Sequence, residues 1–552
     1  MPMRMETIET DVLVVGGGIA GLMAAIRAAE QGVRVLVAEK GNARYSGSGR
    51  AGNDHFWVYV PEYHGGDVDL FIRETMYGQL GYLLAGLPPA VVRTWVERSF
   101  EMVKYWEEWG IPMKHEGKYH FSGHAFPDRM LTHLKYKGAN QKQVLTDQTL
   151  KRGAEIMNRI MVFDLIGDAG GVAGAVGIDT REDRMVVFRA KAVILGTGVV
   201  VRMYPNVIPS LMANNTRPFT ITGDGRAMAY RLGAELSNME MISQHAGIKN
   251  FSRAGQGSWP GVCKGPDGKP VGKYITRPDI IHGDIIMEVD KQIFQRHAQK
   301  GTGPVYMDCR GISDDEHGYL VRGLQNEGNM GLLEHFREEG VDLRKNPVEF
   351  ATYEIRCSGK IETNERAETT VPGLYAAGEE TTYSISGAAV FGWVSGENGA
   401  AFAKQRSGSS GKALDDQIAA GKSLVEGFLN RKNGPDWMDA NTALGHTLTD
   451  YAGLVRSEAM LEAGLRHLRR LKEKFHTTGA ARDRWELTRC LEVVNLYDLG
   501  ELLVLAARER KESRGWHQRV DFPYTDPLLN GKVLIAKQAN GRPTTEWRDS
   551  IR

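Results

Sequence analysis

The N-terminal residues place a glycine cluster between a short apolar segment and a strong helix-forming segment. Asp11–Val15 is rich in β-branched residues, which is typical of a buried parallel strand. Good helix formers occupy Leu22–Glu30. Between a strand and a helix, glycines permit a tight turn and close approach to a pyrophosphate, and the helix N-terminus offers N–H groups to it. The pattern predicts a dinucleotide site that includes Gly16, Gly18, Ile19, Ala20 and Gly21.

A second strand and an acidic residue follow at the spacing that such a site requires. Val33–Ala38 is apolar and ends at Glu39. A carboxylate in this position accepts hydrogen bonds from ribose hydroxyls and disfavours a 2′-phosphate, which argues against NADP. The alternative, a glycine-rich turn that binds nothing, leaves the order of strand, turn, helix and acid unexplained. We therefore assign Glu39, and Lys40 beside it, to the cofactor site.

Three later segments indicate an extended cofactor. The loop Arg44–Asn53 consists largely of small residues. Ala192–Gly198 and Gly373–Glu379 are apolar strands that run into glycine. Separate strand-to-glycine junctions suit one long dinucleotide, FAD, that lies between the sheet ends. These segments add the following predicted contacts: Ser46, Gly52, Gly196, Thr197, Gly198 and Gly378.

Composition excludes several functional classes. The 552 residues include 69 basic and 68 acidic side chains, and a net charge of +1 gives no general attraction to nucleic acid or an anionic membrane. The nearest approach to a basic run, Arg508–Glu512, interleaves acids and predicts a solvated helix face. Four scattered cysteines predict no bound metal and no iron–sulfur cluster. Sparse cysteine, without a signal peptide or a membrane-spanning run, predicts a cytoplasmic protein.

Further motifs carry a resemblance to a known family. Thr222–Gly225 leads into Ala229–Leu236 and Met239–Glu240, and Glu512–Pro523 lies near the C-terminus. With the N-terminal fingerprint and Gly373–Glu379, these segments resemble the flavoprotein subunits of the fumarate reductase, succinate dehydrogenase and adenylylsulfate reductase superfamily. The resemblance covers nearly the whole chain and is closest to an adenylylsulfate-reductase-alpha-like branch.

The resemblance implies an α/β fold with three parts. These are a Rossmann-like FAD-binding domain, an inserted α+β capping domain and a C-terminal helical domain. The implied ranges are 1–249 for the first part of the FAD-binding domain, with a helical excursion at 70–151, then 250–352 for the capping or substrate domain, 353–406 for the second part of the FAD-binding domain, and 412–552 for the C-terminal helical domain and tail.

The resemblance also implies that Asp224, Glu379 and Ser395 contact FAD. An alternative for Asp224 is that its side chain caps the helix that follows Gly225. Membrane-bound relatives carry flavin covalently on a histidine in the loop after the second strand. Here that loop has no histidine before His55, so we expect non-covalent FAD.

Two residues are candidates for the chemistry at the flavin. Ile275–Ile281 resembles part of the family's capping segment and places Arg277 at the active-site arginine. A guanidinium suits an anionic substrate because it forms forked pairs of hydrogen bonds, although a surface arginine before a helix is the alternative. His245 follows Met239–Glu240 at the spacing of a substrate-binding histidine, with a structural role as the alternative. We assign Arg277 and His245 as catalytic residues.

Two positions depart from the succinate and fumarate pattern. Dicarboxylate-handling relatives hold a substrate carboxylate with a histidine and an arginine, where this chain has Ser386 and Val390. Because charge-assisted contacts provide much of the affinity for a small dianion, we predict a different anionic or partly aromatic substrate. Glu354 and Arg356 suit either new polar contacts or a structural ion pair. Three tryptophans suit either a pocket wall or the core: Trp57, Trp259 and Trp393.

The implied electron pathway requires a partner. Relatives pass electrons to an iron–sulfur protein, and the cysteines of this chain predict no cluster of its own. The resemblance therefore implies a small-molecule substrate, a separate ferredoxin-like iron–sulfur subunit and a hetero-oligomer. Two alternatives remain, a self-contained flavin oxidase or reductase and a non-catalytic electron-relay subunit.

Overall fold

The computed structural model describes residues 3–77, 86–125, 128–205, 217–249, 259–272, 276–281, 293–294, 297, 300–326, 328–408 and 411–550, without the side chains of 244–246 and 353–354. The strands within these residues are β1 Arg4–Val15, β2 Val35–Glu39, β3 His55–Trp57, β4 His120–Phe121, β5 His133–Lys135, β6 Glu155–Asn158, β7 Ile160–Asp168, β8 Gly171–Asp179, β9 Arg184–Leu195, β10 Leu236–Ser237, β11 Ile242–Ile248, β12 Val262–Lys264, β13 Val305–Asp308, β14 Val348–Cys357, β15 Lys360–Ile361, β16 Leu374–Ala376, β17 Lys532–Ala539 and β18 Arg542–Asp549. The helices are α1 Ile19–Glu30, α2 Pro61–His64, α3 Val68–Tyr77, α4 Pro89–Glu108, α5 Gln141–Lys151, α6 Asp224–Arg231, α7 Asp314–Asn326, α8 Met330–Glu338, α9 Ser384–Gln405, α10 Lys412–Asn430, α11 Trp437–Ala452, α12 Glu458–Thr478 and α13 Arg484–Glu509.

The predicted strand-to-glycine junctions lie at the carboxyl ends of strands in the largest sheet. Its strands run in the order β6-β2-β1-β9-β8-β7, and β16 also pairs with β9. β1 lies parallel to β2 and β9, and β9 lies parallel to β16, so the carboxyl ends of these strands meet. The strand predicted from Asp11 begins earlier, at Arg4, because Arg4–Thr10 pairs with the long β9. This parallel arrangement brings the segments that follow β1, β9 and β16 to the same end of the sheet.

Close helix packing fixes the position of α1 against this sheet. Helix α9 lies along α1, and glycines of α9 face it at the crossing. A Cβ on Gly396 would lie 3.0 Å from the Cα of Ala24, so only a residue without a side chain permits this approach. On the other face, Val12, Val14 and Ile194 form a fully buried apolar layer. The N-terminus of α1 is thereby held at the strand ends.

The segment predicted as a capping domain enters and leaves on paired strands. β11 and β14 are antiparallel, with Ile242 opposite Cys357 and Ile248 opposite Phe350. β13 pairs with the other side of β14, and β12 extends the sheet. Helices α7 and α8 cover this sheet through an apolar cluster that includes Leu320. The predicted helical excursion at 70–151 contains α4 and α5, but β4 and β5 also lie within it and form a small sheet with β3, which precedes it.

The C-terminal region packs four long helices, α10 to α13, and adds a hairpin. Helix α13 is buried along nearly its whole length. The hairpin β17–β18 pairs with β10, so the C-terminal tail extends a sheet that also contains β10 and β15. None of the helices in the described residues is both long enough and apolar enough to cross a membrane.

One expectation about this region is wrong. The sequence predicts a solvated helix face over Arg508–Glu512, but α13 ends at Glu509, and although Glu509 and Lys511 are exposed, Arg510 and Glu512 are only 2% and 0% exposed. Arg510 Nε lies 2.7 Å from Glu240 Oε1, and its Nη1 lies 2.7 Å from Glu512 Oε1. A buried guanidinium between two carboxylates is a structural link, because each charge compensates the desolvation of its partner.

Candidate active site

The glycine turn after β1 forms the floor of a cleft. Gly16 has φ +100°, and a Cβ there would lie 2.6 Å from the carbonyl oxygen of Gly196. Gly18 is the N-cap of α1 and makes no side-chain capping bond, so the first-turn N–H groups of α1 have no acceptor from a cap. A helix N-terminus of this kind attracts phosphate through its N–H groups and dipole. The turn therefore has the local geometry of a pyrophosphate cradle.

Backbone hydrogen bonds hold the three junctions together. Gly16 N donates to Ala38 O at 2.8 Å, Gly196 N donates to Val15 O at 2.9 Å, and Ala377 N donates to Leu195 O at 2.9 Å. The resulting cleft has a volume of about 430 Å³. Fourteen of the sixteen predicted cofactor contacts line it: Gly16, Gly18, Ile19, Ala20, Glu39, Lys40, Ser46, Gly52, Gly196, Thr197, Gly198, Asp224, Gly378 and Glu379.

The other two predicted contacts, Gly21 and Ser395, are not among the described residues that line the cleft. A side chain on Gly21 would run into the backbone of Gly16, so this glycine supports the turn from behind. Ser395 is fully buried in α9, and its hydroxyl donates to Gly392 O at 2.9 Å. Both residues support the packing of α1 in the structure.

Glu39 lies at the end of β2 and faces the cleft. Its Oε2 accepts a hydrogen bond of 2.6 Å from Gly17 N, and its Oε1 accepts one of 2.6 Å from Gly41 N. An ionised carboxylate has about four acceptor positions, so lone pairs remain for the hydroxyls of a ribose. Ser46 supplies a further polar group, because its buried Oγ has no hydrogen-bond partner among the described residues. Both side chains fit a bound dinucleotide.

Lys40 and Asp224 belong to a buried charge cluster beside the cleft. Lys40 Nζ lies 2.7 Å from Asp224 Oδ2 and 2.8 Å from Glu492 Oε1 of α13. Asp224 Oδ1 also accepts hydrogen bonds from Thr222 and Asn495. Burial raises the pKa of Asp224, but the charge and hydrogen bond of Lys40 outweigh it and hold that pKa below its ordinary value. The cluster ties the cofactor cleft to the C-terminal helices.

The capping role considered for Asp224 is wrong. Helix α6 begins at Asp224 itself, and its N-cap is Gly223, which makes no side-chain capping bond. The Asp224 carboxylate bonds to side chains from other elements instead of to the N–H groups of its own helix.

Two arginines meet Glu379 at one wall of the cleft. Arg217 Nη2 lies 3.3 Å from Glu379 Oε1, and Arg356 Nη1 lies 3.6 Å from the same oxygen. Arg356 Nε also donates to Ser243 Oγ at 2.8 Å. All four residues line the cleft. Arg356 thus lies at the site and faces Glu379, whereas the ion pair with Glu354 that the sequence suggested falls outside the described side chains.

A histidine cluster forms another part of the wall. The ring centroid of His55 lies 4.4 Å from that of His124 and 5.5 Å from that of His133. All three rings line the cleft, with Asp54 and Lys135 beside them. Within the described residues, no group of three or more His, Cys, Asp or Glu side chains is arranged to hold a metal ion. The sequence contained no signal for this cluster, since its members are far apart in the chain.

The two residues assigned to catalysis are placed differently. His245 lies on β11, where its backbone is opposite Glu354, and the side chains of both lie outside the described atoms. Arg277 is exposed and is not among the described residues that line the cleft. Its segment nevertheless docks next to the histidine cluster, because Ile281 O accepts a hydrogen bond of 2.7 Å from Gly123 N.

The positions that replace the dicarboxylate contacts lie in the core. Ser386 is fully buried on α9, and its Oγ accepts a hydrogen bond of 2.6 Å from Trp95 Nε1. Val390, one turn later, is also fully buried in an apolar cluster. The three tryptophans considered for a pocket wall are all about 1% exposed and are core residues that do not line the cleft: Trp57, Trp259 and Trp393.

Comparisons with known proteins identify the cofactor. Residues 11–392, well over half of the chain, match the FAD binding domain family, and residues 441–551 match the fumarate reductase flavoprotein C-terminal family. The chain belongs to the FAD binding domain family. It is therefore an FAD-dependent oxidoreductase, and the expected fold, cofactor and family are confirmed.

Individual relatives are distant but cover the whole chain. The sequence is 25% identical to the fumarate reductase flavoprotein subunit of Serratia sp., over 99% of this chain and 95% of the relative. It is 26% identical to L-aspartate oxidase of Streptomyces coelicolor, over 96% of this chain and 92% of the relative. Adenylylsulfate reductase from Archaeoglobus fulgidus has the same fold, with a TM-score of 0.86 at 21% identity, over 99% of this chain and 96% of that one.

The residues of the cleft fit FAD. Gly16, Gly18 and the N-terminus of α1 would hold its pyrophosphate, and Glu39 would hold a ribose. Glu379 and Ser46 would contact other parts of the FAD molecule. When bound, FAD would supply hydride and electron exchange.

Proposed function

We propose that this chain is the catalytic flavoprotein subunit of an oxidoreductase that acts on a small anionic substrate. The observation that carries the proposal is a single cleft with two kinds of lining. One part is the glycine-lined cradle, and the other part holds cationic and imidazole side chains: Arg217, Arg356, His55, His124 and His133. Guanidinium groups bind carboxylate, sulfate and phosphate through paired, charge-assisted hydrogen bonds.

The proposed substrate is not a succinate-type or fumarate-type dicarboxylate. Ser386 and Val390 provide no charge at the positions where such enzymes hold a carboxylate, and Ser386 already accepts a hydrogen bond from Trp95. The cationic groups Arg217 and Arg356 approach the cleft from other elements. An anion with a different arrangement of charge suits them better, and Tyr383 and Trp516 on the wall favour one with a planar or aromatic part.

Arg277 and His245 remain proposed substrate contacts. The backbone of the Arg277 segment is bonded to the loop before His124, through Ser122 Oγ and Ile280 O at 2.8 Å. Arg277 is three positions before Ile280 in the chain, so its segment is bonded to the loop that carries His124, which supports a role in holding the substrate anion. Replacement of Arg277 with alanine should then raise KM strongly. In a subunit that only relays electrons, the same replacement would leave the electron flow unchanged.

We further propose that electrons leave to a separate iron–sulfur protein and that FAD is held without a covalent bond. The cysteines Cys263, Cys309, Cys357 and Cys490 are buried free thiols on separate elements, which do not form a cluster site. Several relatives carry the words flavoprotein subunit in their names, which supports a partner. The loop Arg44–Asn53 contains no histidine, which supports non-covalent FAD.

A first experiment tests cofactor and linkage together. The purified chain, precipitated with acid, should release FAD into the supernatant at about one per chain. A protein pellet that keeps its flavin would refute the non-covalent attachment. A purified protein without flavin, even after incubation with excess FAD, would refute the role proposed for the cleft.

A second experiment tests the substrate class. Reduced benzyl viologen would supply electrons anaerobically, with fumarate, 2-oxo acids, crotonyl-CoA and adenylylsulfate as acceptors. We expect an anion other than fumarate to be reduced fastest. Arg356→Gln should keep FAD and raise KM about tenfold or more, since a charge-assisted hydrogen bond is lost. Arg337→Gln, at an exposed site of α8, is the control. Fumarate as the fastest acceptor would contradict the proposal.

A self-contained oxidase is the second candidate function. The relative from Streptomyces coelicolor named L-aspartate oxidase covers nearly the whole chain, which favours this candidate. An oxidase transfers electrons to oxygen, so the isolated chain would release hydrogen peroxide stoichiometrically during turnover in air. Stoichiometric peroxide would support the oxidase, and slow peroxide release with fast viologen-linked turnover would support the iron–sulfur partner.

A further inference from the structure

A chain of three charged or polar side chains runs from the protein interior to the cleft. His55 on β3 is the cross-strand neighbour of Lys135 on β5. Lys135 Nζ lies 3.0 Å from Asp54 Oδ2, and Asp54 Oδ1 lies 2.6 Å from His55 Nδ1. Each oxygen of the Asp54 carboxylate therefore has its own partner.

Of these three side chains, His55 is the most exposed and is the one that lines the cleft. The Asp54 side chain is 5% exposed, that of Lys135 is 10% exposed and that of His55 is 22% exposed. The imidazole is thus the accessible member of the chain. A carboxylate that accepts the Nδ1–H of a histidine fixes the tautomer and leaves Nε2 as the nitrogen that exchanges a proton.

We propose that His55, oriented by Asp54 and Lys135, is the acid–base residue of the redox step. This inference rests on the proposed function and deepens it. In oxidation the substrate would lose a hydride from one C–H bond, and bound FAD would be the two-electron acceptor. The O–H, N–H or C–H bond on the neighbouring atom also breaks, its proton passes to His55 Nε2, and its electron pair forms the new double bond. In reduction, protonated His55 returns the proton, and bound FAD supplied with two electrons would be the hydride source.

The groups around His55 are suited to this role. Burial holds the pKa of His124 and His133 well below the ordinary histidine value, so both rings are neutral near pH 7 and do not oppose a charge on His55. Burial raises the pKa of Asp54, but the charges of Lys135 and His55 outweigh it and hold that pKa well below its ordinary value. Lys135 also faces Tyr319 of α7, with its Nζ 5.4 Å from the ring centroid. The carboxylate therefore stays ionised and remains an acceptor for the Nδ1–H of His55.

The tautomer of His55 is the first test, and it needs no substrate. Histidine ¹⁵N labelling of the FAD-loaded chain would be followed by NMR, with the His55 signals identified by their loss in His55→Asn. We expect neutral His55 to carry its proton on Nδ1, and Asp54→Asn to shift the population towards Nε2–H. Neutral His55 with its proton on Nε2 in the wild type would overturn the proposal.

Kinetics provide the second test, with the fastest acceptor of the viologen assay as the probe. His55→Asn keeps a donor for Asp54 but has no second nitrogen. It should retain FAD and KM, lower kcat by about 100-fold or more and remove one limb of the pH profile. His115→Asn, at an exposed histidine outside the cleft, is the control. An unchanged kcat or pH profile in His55→Asn would overturn the role of His55. If no acceptor is reduced by the wild type, the proposed function fails, while the NMR result still decides whether the oriented pair exists.

Discussion

Replacement of Lys40 with methionine removes one charge from the buried cluster while it keeps a side chain of similar length. Lys40 Nζ is the shared partner of Asp224 and Glu492, whose side chains are 7% and 0% exposed. Glu492 keeps two arginines after the replacement, Arg202 at 2.7 Å and Arg489 at 3.2 Å. Among the described residues, the hydrogen-bond donors that Asp224 keeps are the neutral side chains of Thr222 and Asn495. The loss therefore falls mainly on Asp224.

The expected loss of stability follows from this difference. Breaking a buried ion pair by removing one partner costs about 3–5 kcal/mol, because an uncompensated charge remains. Since Glu492 keeps its arginines, we expect the lower end, about 3 kcal/mol. Lys422→Met is the matched control, because Lys422 pairs with Glu426 at 3.7 Å on the surface of α10. Its loss should be at most about 0.5 kcal/mol.

The loss should depend on pH in a defined direction. The folded pKa of Asp224 is lowered, so its contribution is present above the unfolded value and disappears as pH falls through the folded pKa. The folded pKa of Lys40 is raised, so its contribution is present below the unfolded value and disappears only in strong alkali. The difference between wild type and Lys40→Met is therefore largest near neutral pH. It should shrink at acid pH, where Asp224 of the variant, without the charge of Lys40, takes up a proton before Asp224 of the wild type does.

Urea denaturation at equal excess FAD measures these differences, because bound cofactor itself adds stability. Tryptophan and flavin fluorescence should give the same transition if unfolding is cooperative. A loss no larger than that of Lys422→Met, or a difference that stays constant from neutral to acid pH, would refute the reasoning.

Two further substitutions test the glycine turn at the pyrophosphate site and the buried hydrogen bond between Trp95 and Ser386. Gly16→Ala should lower FAD content about tenfold or more, because its Cβ would lie 2.6 Å from the carbonyl oxygen of Gly196 and strain of about 1–3 kcal/mol accompanies a positive φ. Gly32→Ala is the control, because Gly32 also has a positive φ but open space around an added Cβ, so this variant should keep FAD. Equal FAD content in the two variants would contradict the role of Gly16 in binding the pyrophosphate. Ser386→Ala should lower the free energy of unfolding by about 1–3 kcal/mol, since buried Trp95 Nε1 loses its acceptor. A neutral result in urea denaturation would show that this hydrogen bond contributes little.

Local patterns in the sequence were sufficient to predict the cofactor half of the site. Gly16, Gly196 and Gly378 each follow a short apolar strand, and parallel pairing brings the ends of such strands together. The spacing from Gly16 to Glu39 is set by one strand, one turn and one helix, so it is visible in a single stretch of chain. Gly21, assigned from the glycine pattern, and Ser395, assigned from the family resemblance, support the packing of helices instead, because neither argument reveals which face of a helix meets the cleft.

Long-range contacts were not predictable in this way. Lys40 was assigned to the cofactor site, yet its carboxylate partner Glu492 lies on α13, about 450 positions further along the chain. Arg510 and Glu512 were expected in solvent, but the tertiary fold places Glu240 against Arg510 and buries all three. A charge pattern along one helix indicates its local amphipathicity and does not show which distant element will cover it.

The sequence by itself determined the FAD-binding fold, because the glycine turns and the strand spacing act between residues that are close in the chain. The tertiary structure alone decided the composition of the opposite wall. His55, His124 and Arg356 come from separate elements and meet only when the small sheet and the strand β14 pack at the cleft. Cofactor recognition therefore depends on local backbone geometry, whereas the groups proposed to act on the substrate are brought together by packing over long distances in sequence.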